Sequence, residues 1–210
     1  MELSATRPKT LPFAGPGDGS RPLGVVCSPR WAKTILRIGP AVILAAFAGG
    51  GAVRGQAVDE YQLKAAFLSN FAKFVEWPPA SFSSPQDPIV ICILGVDPFG
   101  DALRQAVNGK MIEDRKPVVH QISDVRQAGG CSILFISSSE RKRLRAILAE
   151  IKTNGILTVG DTGNFAVEGG VINLKLEGGR VRLQINLDAA DRQKLRISAK
   201  LLSLAQIVKN

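Results

Sequence analysis

Four short, mostly apolar segments are spaced along the middle of this chain. They lie at residues 89–94, 117–122, 131–136 and 156–160. Apolar runs of this length, rich in β-branched residues, predict strands buried on both faces, as in a parallel sheet. Helical patterns lie between the strands, and the clearest of them places Leu144, Ile147 and Ile151 on one side. The order of strands and helices therefore predicts an α/β layer sandwich.

The pattern changes after residue 170. Residues 171–176 and 181–186 alternate apolar and polar positions, and the turn 177–180 contains two glycines. This arrangement predicts an antiparallel hairpin. Ser198 is predicted to cap a final helix that runs to Val208. The fold class predicted for residues 58–210 is a single-domain α/β sandwich, with a mostly parallel sheet, an antiparallel edge hairpin and helices on both faces.

A helix is predicted ahead of the first strand. Apolar residues recur at Leu63, Phe67, Phe71 and Phe74, which is one stripe of a helix. The same spacing puts Gln62, Ser69, Lys73 and Glu76 on the opposite side. Pro78 and Pro79 are predicted to end the helix.

The first 57 residues have the pattern of an export signal. Residues 1–30 are rich in Pro, Gly and Ser and are predicted to be a disordered extension or the product of a start codon assigned too early. Basic residues then precede the apolar run 41–48, and Gly55-Gln56-Ala57 follows it. This pattern predicts a secretory signal peptide at 31–57, cleaved after Ala57, with an uncleaved anchor as the alternative.

The positive charge lies largely in this leader. The chain has a formal net charge of +9, and residues 1–57 hold seven basic and two acidic residues. The remainder is only mildly basic, with no long cationic stripe. Nucleic-acid binding is therefore not indicated.

The sequence gives little support for an enzyme. His120 is the only histidine, and the two cysteines after the leader are far apart, so no zinc pattern exists. The segment 95–100 has the glycine spacing of a P-loop but lacks its lysine and hydroxyl residue. We therefore predict a non-enzymatic binding protein without metal or cofactor.

Two segments are candidates for binding an anionic ligand or a partner. Asp97, with Pro98 after it, is predicted to cap a helix at the end of the first strand, where ligands of α/β sheets commonly lie. Arg196 and Ser198 stand at the start of the last helix, where a guanidinium and free amides suit a carboxylate or phosphate. A tight capped turn and a solvated arginine are the respective alternatives.

Cys92 and Cys131 are the cysteines that remain after removal of the leader. An even pair in an exported protein suggests one disulfide, and two buried free thiols are the alternative.

Several segments together resemble one family. The most specific reads Lys-Ala-Ala-Phe-Leu-x-Asn-Phe-Ala-Lys-Phe-Val-Glu-Trp-Pro, at 64–78. The others lie at 93–100, 134–137, 156–161, 169–173, 185–187 and 195–202. Together they resemble the YfiR family, small periplasmic proteins of Gram-negative bacteria.

The resemblance implies a periplasmic regulator that is not an enzyme. In the best-known branch, such a protein binds and represses the periplasmic sensor domain of an inner-membrane diguanylate cyclase, and an outer-membrane lipoprotein sequesters it. Cyclic-di-GMP output and biofilm formation follow. The resemblance also implies a disulfide between Cys92 and Cys131, linking the first and third strands.

The alternative function is a periplasmic module that binds a small anionic or aromatic ligand. Such a module would act on a histidine kinase or a transport system. A homodimer is left open by the sequence.

Overall fold

A computed structural model describes residues 60–151 and 155–209 of the chain. The predicted extension, the signal peptide and the cleavage point after Ala57 lie outside these residues. Within the described part, no helix has both the length and the apolar character needed to cross a membrane.

The helices and strands follow the predicted order for most of the chain. The first half contains α1 (Glu60–Phe71), β1 (Val75–Glu76), β2 (Ile89–Leu94), α2 (Asp101–Val107), β3 (Pro117–Ile122) and β4 (Ile133–Ile136). The second half contains α3 (Leu144–Glu150), β5 (Leu157–Gly160), β6 (Ile172–Glu177), β7 (Arg180–Asn186), α4 (Leu187–Arg192), β8 (Arg196–Ile197), α5 (Ala199–Leu202) and β9 (Ala205–Val208). Short 3-10 helices lie at Pro79–Ser81, Val125–Gly130 and Ser138–Arg143.

The central sheet of the described residues has seven strands in the order β3-β2-β4-β5-β6-β7-β9. The five strands from β3 to β6 are parallel, β7 is antiparallel to β6, and β9 is parallel to β7. The predicted fold class is therefore confirmed. The hairpin β6–β7 lies next to the edge, and β9 is the outermost strand on that side.

Both faces of the sheet are buried because side chains alternate along each strand. Ile91 and Ile93 of β2 face the core that includes Leu103 of α2. Cys92 and Leu94 face a second core that includes Leu144 of α3. This double burial explains why the parallel strands read as continuous apolar runs.

The inward face of α1 differs from the predicted stripe. Ala65, Leu68 and Phe71 are fully buried, and Lys64 and Ser69 are buried beside them. Leu63 and Phe67 are only partly buried, and Ser69, predicted to face outward, is 1% exposed. The helix is rotated so that Lys64 reaches an acidic partner 97 residues away, which local spacing cannot reveal.

Helix α1 also ends before the two prolines. Its last residue is Phe71, and Val75 and Glu76 form β1, which pairs antiparallel with β8. The Trp77 indole then donates to the Ser132 carbonyl at 3.3 Å. These long-range contacts hold the segment in an extended conformation that the helical pattern did not predict.

The turn after β2 corrects the predicted helix cap. Gly100, with φ of 53°, is the N-cap of α2, and it makes no side-chain cap bond. Asp97 instead accepts a hydrogen bond from the Phe99 amide at 2.8 Å, so it stabilises the turn and not the helix. The positive φ explains the glycine, because other residues adopt that region at a cost.

Side-chain hydrogen bonds also fix the segment after β4. Ser137 accepts a hydrogen bond from the Ser139 amide and caps the 3-10 helix Ser138–Arg143. Glu140 accepts from the Arg143 guanidinium at 2.7 and 3.0 Å. This hydrogen bond raises the pKa of Arg143.

The final predicted helix is much shorter than expected. Ser198 caps α5, but α5 ends at Leu202, and Ala205–Val208 form β9. Gln206 of β9 accepts a side-chain hydrogen bond from Gln184 of β7 at 3.2 Å. The open edge of β7 thus supplies partners that override the helical spacing of Leu201, Leu204 and Val208.

Candidate functional site

The carboxyl edge of the parallel strands, where ligands of α/β sheets commonly lie, is occupied by internal contacts. The Val96 amide donates to Ser139 Oγ at 3.0 Å, and the Phe99 amide donates to Asp97 Oδ1. Asp97 Oδ2 lies 3.9 Å from the Arg104 guanidinium. The turn amides that favoured an anion site therefore already have acceptors.

A buried ionic cluster closes the same edge beside β5. Lys64 Nζ lies 2.8 Å from Asp161 Oδ2 and 2.5 Å from Glu60 Oε1. The side chains of Lys64 and Asp161 are 3% and 2% exposed. The Tyr61 hydroxyl donates to the same Asp161 oxygen at 2.9 Å. The cluster joins the first turn of α1 to the end of β5, so its evident role is structural.

Sequence reasoning missed this cluster. Asp161 has no second carboxylate at metal-loop spacing, and Lys64 stands in a segment whose apolar pattern predicted another inward face. Lys64 and Asp161 are 97 residues apart in the sequence, and no local pattern marks such a pair.

The amino edge of the sheet, in contrast, is open. A cavity of about 440 Å3 lies between β1, the 78–85 segment and the start of β2. Trp77 and Phe82 line it, with ring centroids 6.2 Å apart. The Arg115 guanidinium lies 3.8 Å from the Phe82 ring centroid, a cation–π contact. We call this cavity the amino-edge groove.

The wall of the amino-edge groove is fixed by hydrogen bonds. Arg115 donates to the Ser84 carbonyl at 2.8 Å and to the Asp87 carbonyl at 2.9 Å. Trp77 is held through Ser132. The aromatic rings are thus positioned without closing the groove, which suits a pre-formed binding surface.

Arg196 lies beside this groove. It is opposite Glu76 in the β1–β8 pair, and Glu76 lines the groove. Arg196 Nε is 3.8 Å from Glu76 Oε2, and the two side chains are 86% and 78% exposed. This exposed pair contributes little to stability. The guanidinium is therefore accessible to a partner or an anion.

Ser198 is two residues further on, and its role in the structure is that of a cap. Its hydroxyl accepts from the Leu201 amide at 3.4 Å, and its own amide donates to the Phe74 carbonyl at 2.9 Å. Helix α5 has only four residues, so its N-terminus offers little for an anion.

The three predicted binding residues do not form one site. Helix α1 begins at the carboxyl edge, where Tyr61 contacts Phe99, and the segment after it reaches the amino edge, where Trp77 contacts the residue before β4. Asp97 lies at the first edge, and Arg196 and Ser198 lie at the second. A ligand or partner role for these residues stays a prediction.

The model of the YfiR/HmsC-like family matches residues 61–206, which include nearly every helix and strand described above. The chain belongs to the YfiR/HmsC-like family. Members of this family are periplasmic, regulatory and non-enzymatic, and they act in cyclic-di-GMP signalling.

Comparisons outside the YfiR/HmsC-like family model add little. No curated protein matches the chain significantly. One solved structure that matches is the crystal structure of a conserved domain protein from Vibrio cholerae O1 biovar El Tor strain N16961. It has 11% identity and a TM-score of 0.48, over 71% of this chain and 60% of that one. The chain thus spans about 60% of the length of that structure.

The predicted disulfide of this YfiR/HmsC-like chain is present. Cys92 of β2 and Cys131, two residues before β4, are bonded, with their Cα atoms 5.8 Å apart. Both residues are buried, at 2% and 6% exposure. The alternative of two free thiols is thereby excluded. Since Ser132 follows Cys131, the bond also braces the carbonyl that accepts from Trp77.

No candidate metal centre is found in the part of the chain that the structure describes, where no three His, Cys, Asp or Glu side chains converge. His120 of β3 is exposed.

Proposed function

We propose that this protein is a periplasmic repressor that binds the periplasmic sensor domain of an inner-membrane diguanylate cyclase and holds the enzyme inactive. The observation that carries the proposal is the family match over residues 61–206, which spans almost the whole described domain. Release of the repressor would raise cyclic-di-GMP and promote biofilm formation.

The amino-edge groove and the adjoining Glu76–Arg196 pair are the proposed contact surface. Tryptophan and arginine are enriched among the residues that dominate protein–protein binding energy. Here Trp77 and Arg115 stand in an open cavity, and Arg196 is exposed beside it. The internal contacts at the carboxyl edge leave fewer groups for a partner.

Deletion of the gene tests the regulatory role. We expect cyclic-di-GMP to rise in the deletion strain and to return to its original level when the gene is restored. The protein purified from the periplasm should bind the isolated periplasmic domain of the cyclase. Unchanged nucleotide levels, together with no binding to that domain, would refute the proposal.

The second candidate function is ligand sensing for a histidine kinase or a transport system. The observation that favours it is the combination of two aromatic rings and the half-buried Arg115 around a cavity of about 440 Å3, a size typical of small-molecule sites. A small aromatic anion would suit such a site. Ligand binding without any change in cyclic-di-GMP on deletion would favour this function over repression of a cyclase.

Export and sequestration complete the proposal. Cleavage after Ala57 is expected to yield a mature periplasmic protein that begins at Val58, which N-terminal sequencing would show. An outer-membrane lipoprotein is the proposed antagonist. If so, the lipoprotein should compete with the cyclase domain for the purified repressor, and simultaneous binding of both would contradict simple sequestration.

A further inference from the structure

A second cavity, with no lining residue in common with the amino-edge groove, lies between α3, the loop before β6 and α4. Its volume is about 410 Å3. This is within the range of cavities that hold small molecules. We call it the α3–α4 cavity. Neither the proposed partner surface nor the disulfide involves it.

The rim of the α3–α4 cavity carries more positive than negative charge. Arg145 and Arg192 line it together with one carboxylate, Glu168. Arg145 Nε lies 3.6 Å from Glu168 Oε2, which is an ion pair without a short hydrogen bond. Arg192 has no ion-pair partner within residues 60–151 and 155–209. The rim thus carries two guanidiniums and one carboxylate, a net single positive charge.

The placement of Arg192 beside a glycine keeps the rim open. A Cβ atom built on Gly169 would lie 3.8 Å from a terminal nitrogen of the Arg192 guanidinium. Gly169 has φ of 107°, a conformation that other residues rarely adopt. The guanidinium therefore lies beside bare backbone at the rim of the cavity.

The rest of the lining is mixed, with Thr158 and Gln193 beside apolar residues, and its accessible apolar surface comes mainly from α3. Val171 and Ala189 are buried there, and Leu148 and Ile151 are partly buried. Contact between water and apolar surface is unfavourable in free energy, whereas burying a hydrocarbon group against that surface is favourable. A ligand that suits this cavity therefore combines an anionic group, which the guanidiniums would bind, with a hydrocarbon group, which the apolar residues would contact.

We propose that the α3–α4 cavity binds a small organic monoanion, an aromatic or branched aliphatic carboxylate. The guanidiniums of Arg192 and Arg145 bind the carboxylate, because the planar donor fork of arginine matches its two oxygens. The apolar lining contacts the hydrocarbon group. Glu168 limits the affinity, since it competes for the Arg145 guanidinium.

The test is a titration of the exported protein, recovered from the periplasm, with benzoate, isovalerate and benzyl alcohol. Heteronuclear NMR reports both affinity and location. We expect at least one of the two carboxylates to bind saturably, with a Kd of about 1 mM or tighter. The shifted resonances should lie around Arg192 and Val171. Benzyl alcohol, which lacks the charge, should bind more weakly.

Variants separate the proposed site from general surface charge. Arg192→Gln should weaken carboxylate binding about tenfold, the effect of losing a charged hydrogen bond. Glu168→Gln should strengthen it about two- to fivefold. Arg141→Gln, an exposed residue before α3 that does not line the cavity, should leave binding unchanged.

Three results would overturn the proposal. They are the absence of saturable carboxylate binding, equal binding of benzoate and benzyl alcohol, and wild-type binding by a folded Arg192→Gln variant. Because none of these measurements involves a cyclase, the outcome is independent of the proposed repressor function.

Discussion

The two edges of the parallel sheet use their polar side chains in opposite ways. At the carboxyl edge, Lys64, Asp161 and Tyr61 are joined in a buried cluster. At the amino edge, Glu76 and Arg196 are exposed beside the open groove that contains Trp77. In many α/β proteins the carboxyl edge binds the ligand. In this chain the first edge holds the fold together, and the second has the free groups that recognition requires.

The largest loss of stability is expected from a substitution in the buried cluster of Lys64, Asp161 and Tyr61. Lys64→Met would leave Asp161 charged and buried without its cation, and the loss of one partner of a buried pair costs about 3–5 kcal/mol. The free energy of unfolding, measured by urea titration, should fall by that amount. The control Lys73→Met removes an exposed lysine just after α1 and should change the free energy of unfolding by less than about 0.5 kcal/mol.

The double variant Lys64→Met/Asp161→Leu sharpens this test. It removes both charges, so it should be less destabilised than the sum of the single variants. A Lys64→Met protein as stable as wild type would show that the carboxyl edge is not held by this cluster.

The disulfide is expected to make the next largest contribution to stability, and it braces the amino edge. It closes a loop over a sequence separation of 39 residues. In the chain-entropy model this stabilises the fold by up to about 4 kcal/mol. Cys92→Ala and Cys131→Ala should each lower the melting temperature markedly, and the double variant should be no worse than either. Calorimetry that finds no effect of reductant on wild type would contradict this account.

Substitution of two glycines at the carboxyl edge is expected to give a third, smaller change in stability, and the two sites serve as a matched pair. A Cβ atom on Gly160 would lie 2.2 Å from the Phe165 ring, whereas one on Gly163 would meet nothing within 4 Å. Gly160→Ala should therefore cost about 1–3 kcal/mol through overpacking. Gly163→Ala should be close to neutral. Equal stability of the two variants in urea unfolding would mean that Phe165 moves aside at little cost.

Contacts far apart in sequence explain where prediction from the sequence succeeded and where it failed. The four parallel strands were predictable because burial on both faces leaves continuous apolar runs such as 89–94. The rotation of α1 could not be predicted, because it depends on the contact between Lys64 and Asp161. The strand at 205–208 could not be predicted either, because its apolar spacing suits a helix. It forms a strand only because the open edge of β7 pairs with it.

The candidate site shows the same limit. Arg196 was recognisable as an exposed cation near a helix start, but its neighbour Glu76 and the groove arise from the pairing of β1 with β8. Asp97 was predicted to be a helix cap, and the positive φ of Gly100 moved the cap by three residues. The Phe82–Arg115 contact joins residues from different loops and carries no local sequence signal.

The smallest stability effect is expected at the amino edge. Arg196→Ala removes one side of an exposed pair whose atoms are 3.8 Å apart. The free energy of unfolding should change by less than about 0.5 kcal/mol, as for most surface substitutions. A loss of more than about 2 kcal/mol in urea unfolding would make Arg196 a structural residue and would remove the contrast between the two edges.

The central claim, that recognition takes place at the amino edge, is tested most directly by the affinity of folded variants for the cyclase's periplasmic domain. Isothermal titration calorimetry should compare Arg196→Ala with Val96→Asp, which places a charge at an exposed position of the carboxyl edge. We predict that Arg196→Ala weakens binding about fivefold or more, as for residues that dominate an interface, and that Val96→Asp binds like wild type. Loss of binding with Val96→Asp and wild-type affinity with Arg196→Ala would place recognition at the carboxyl edge and contradict the account.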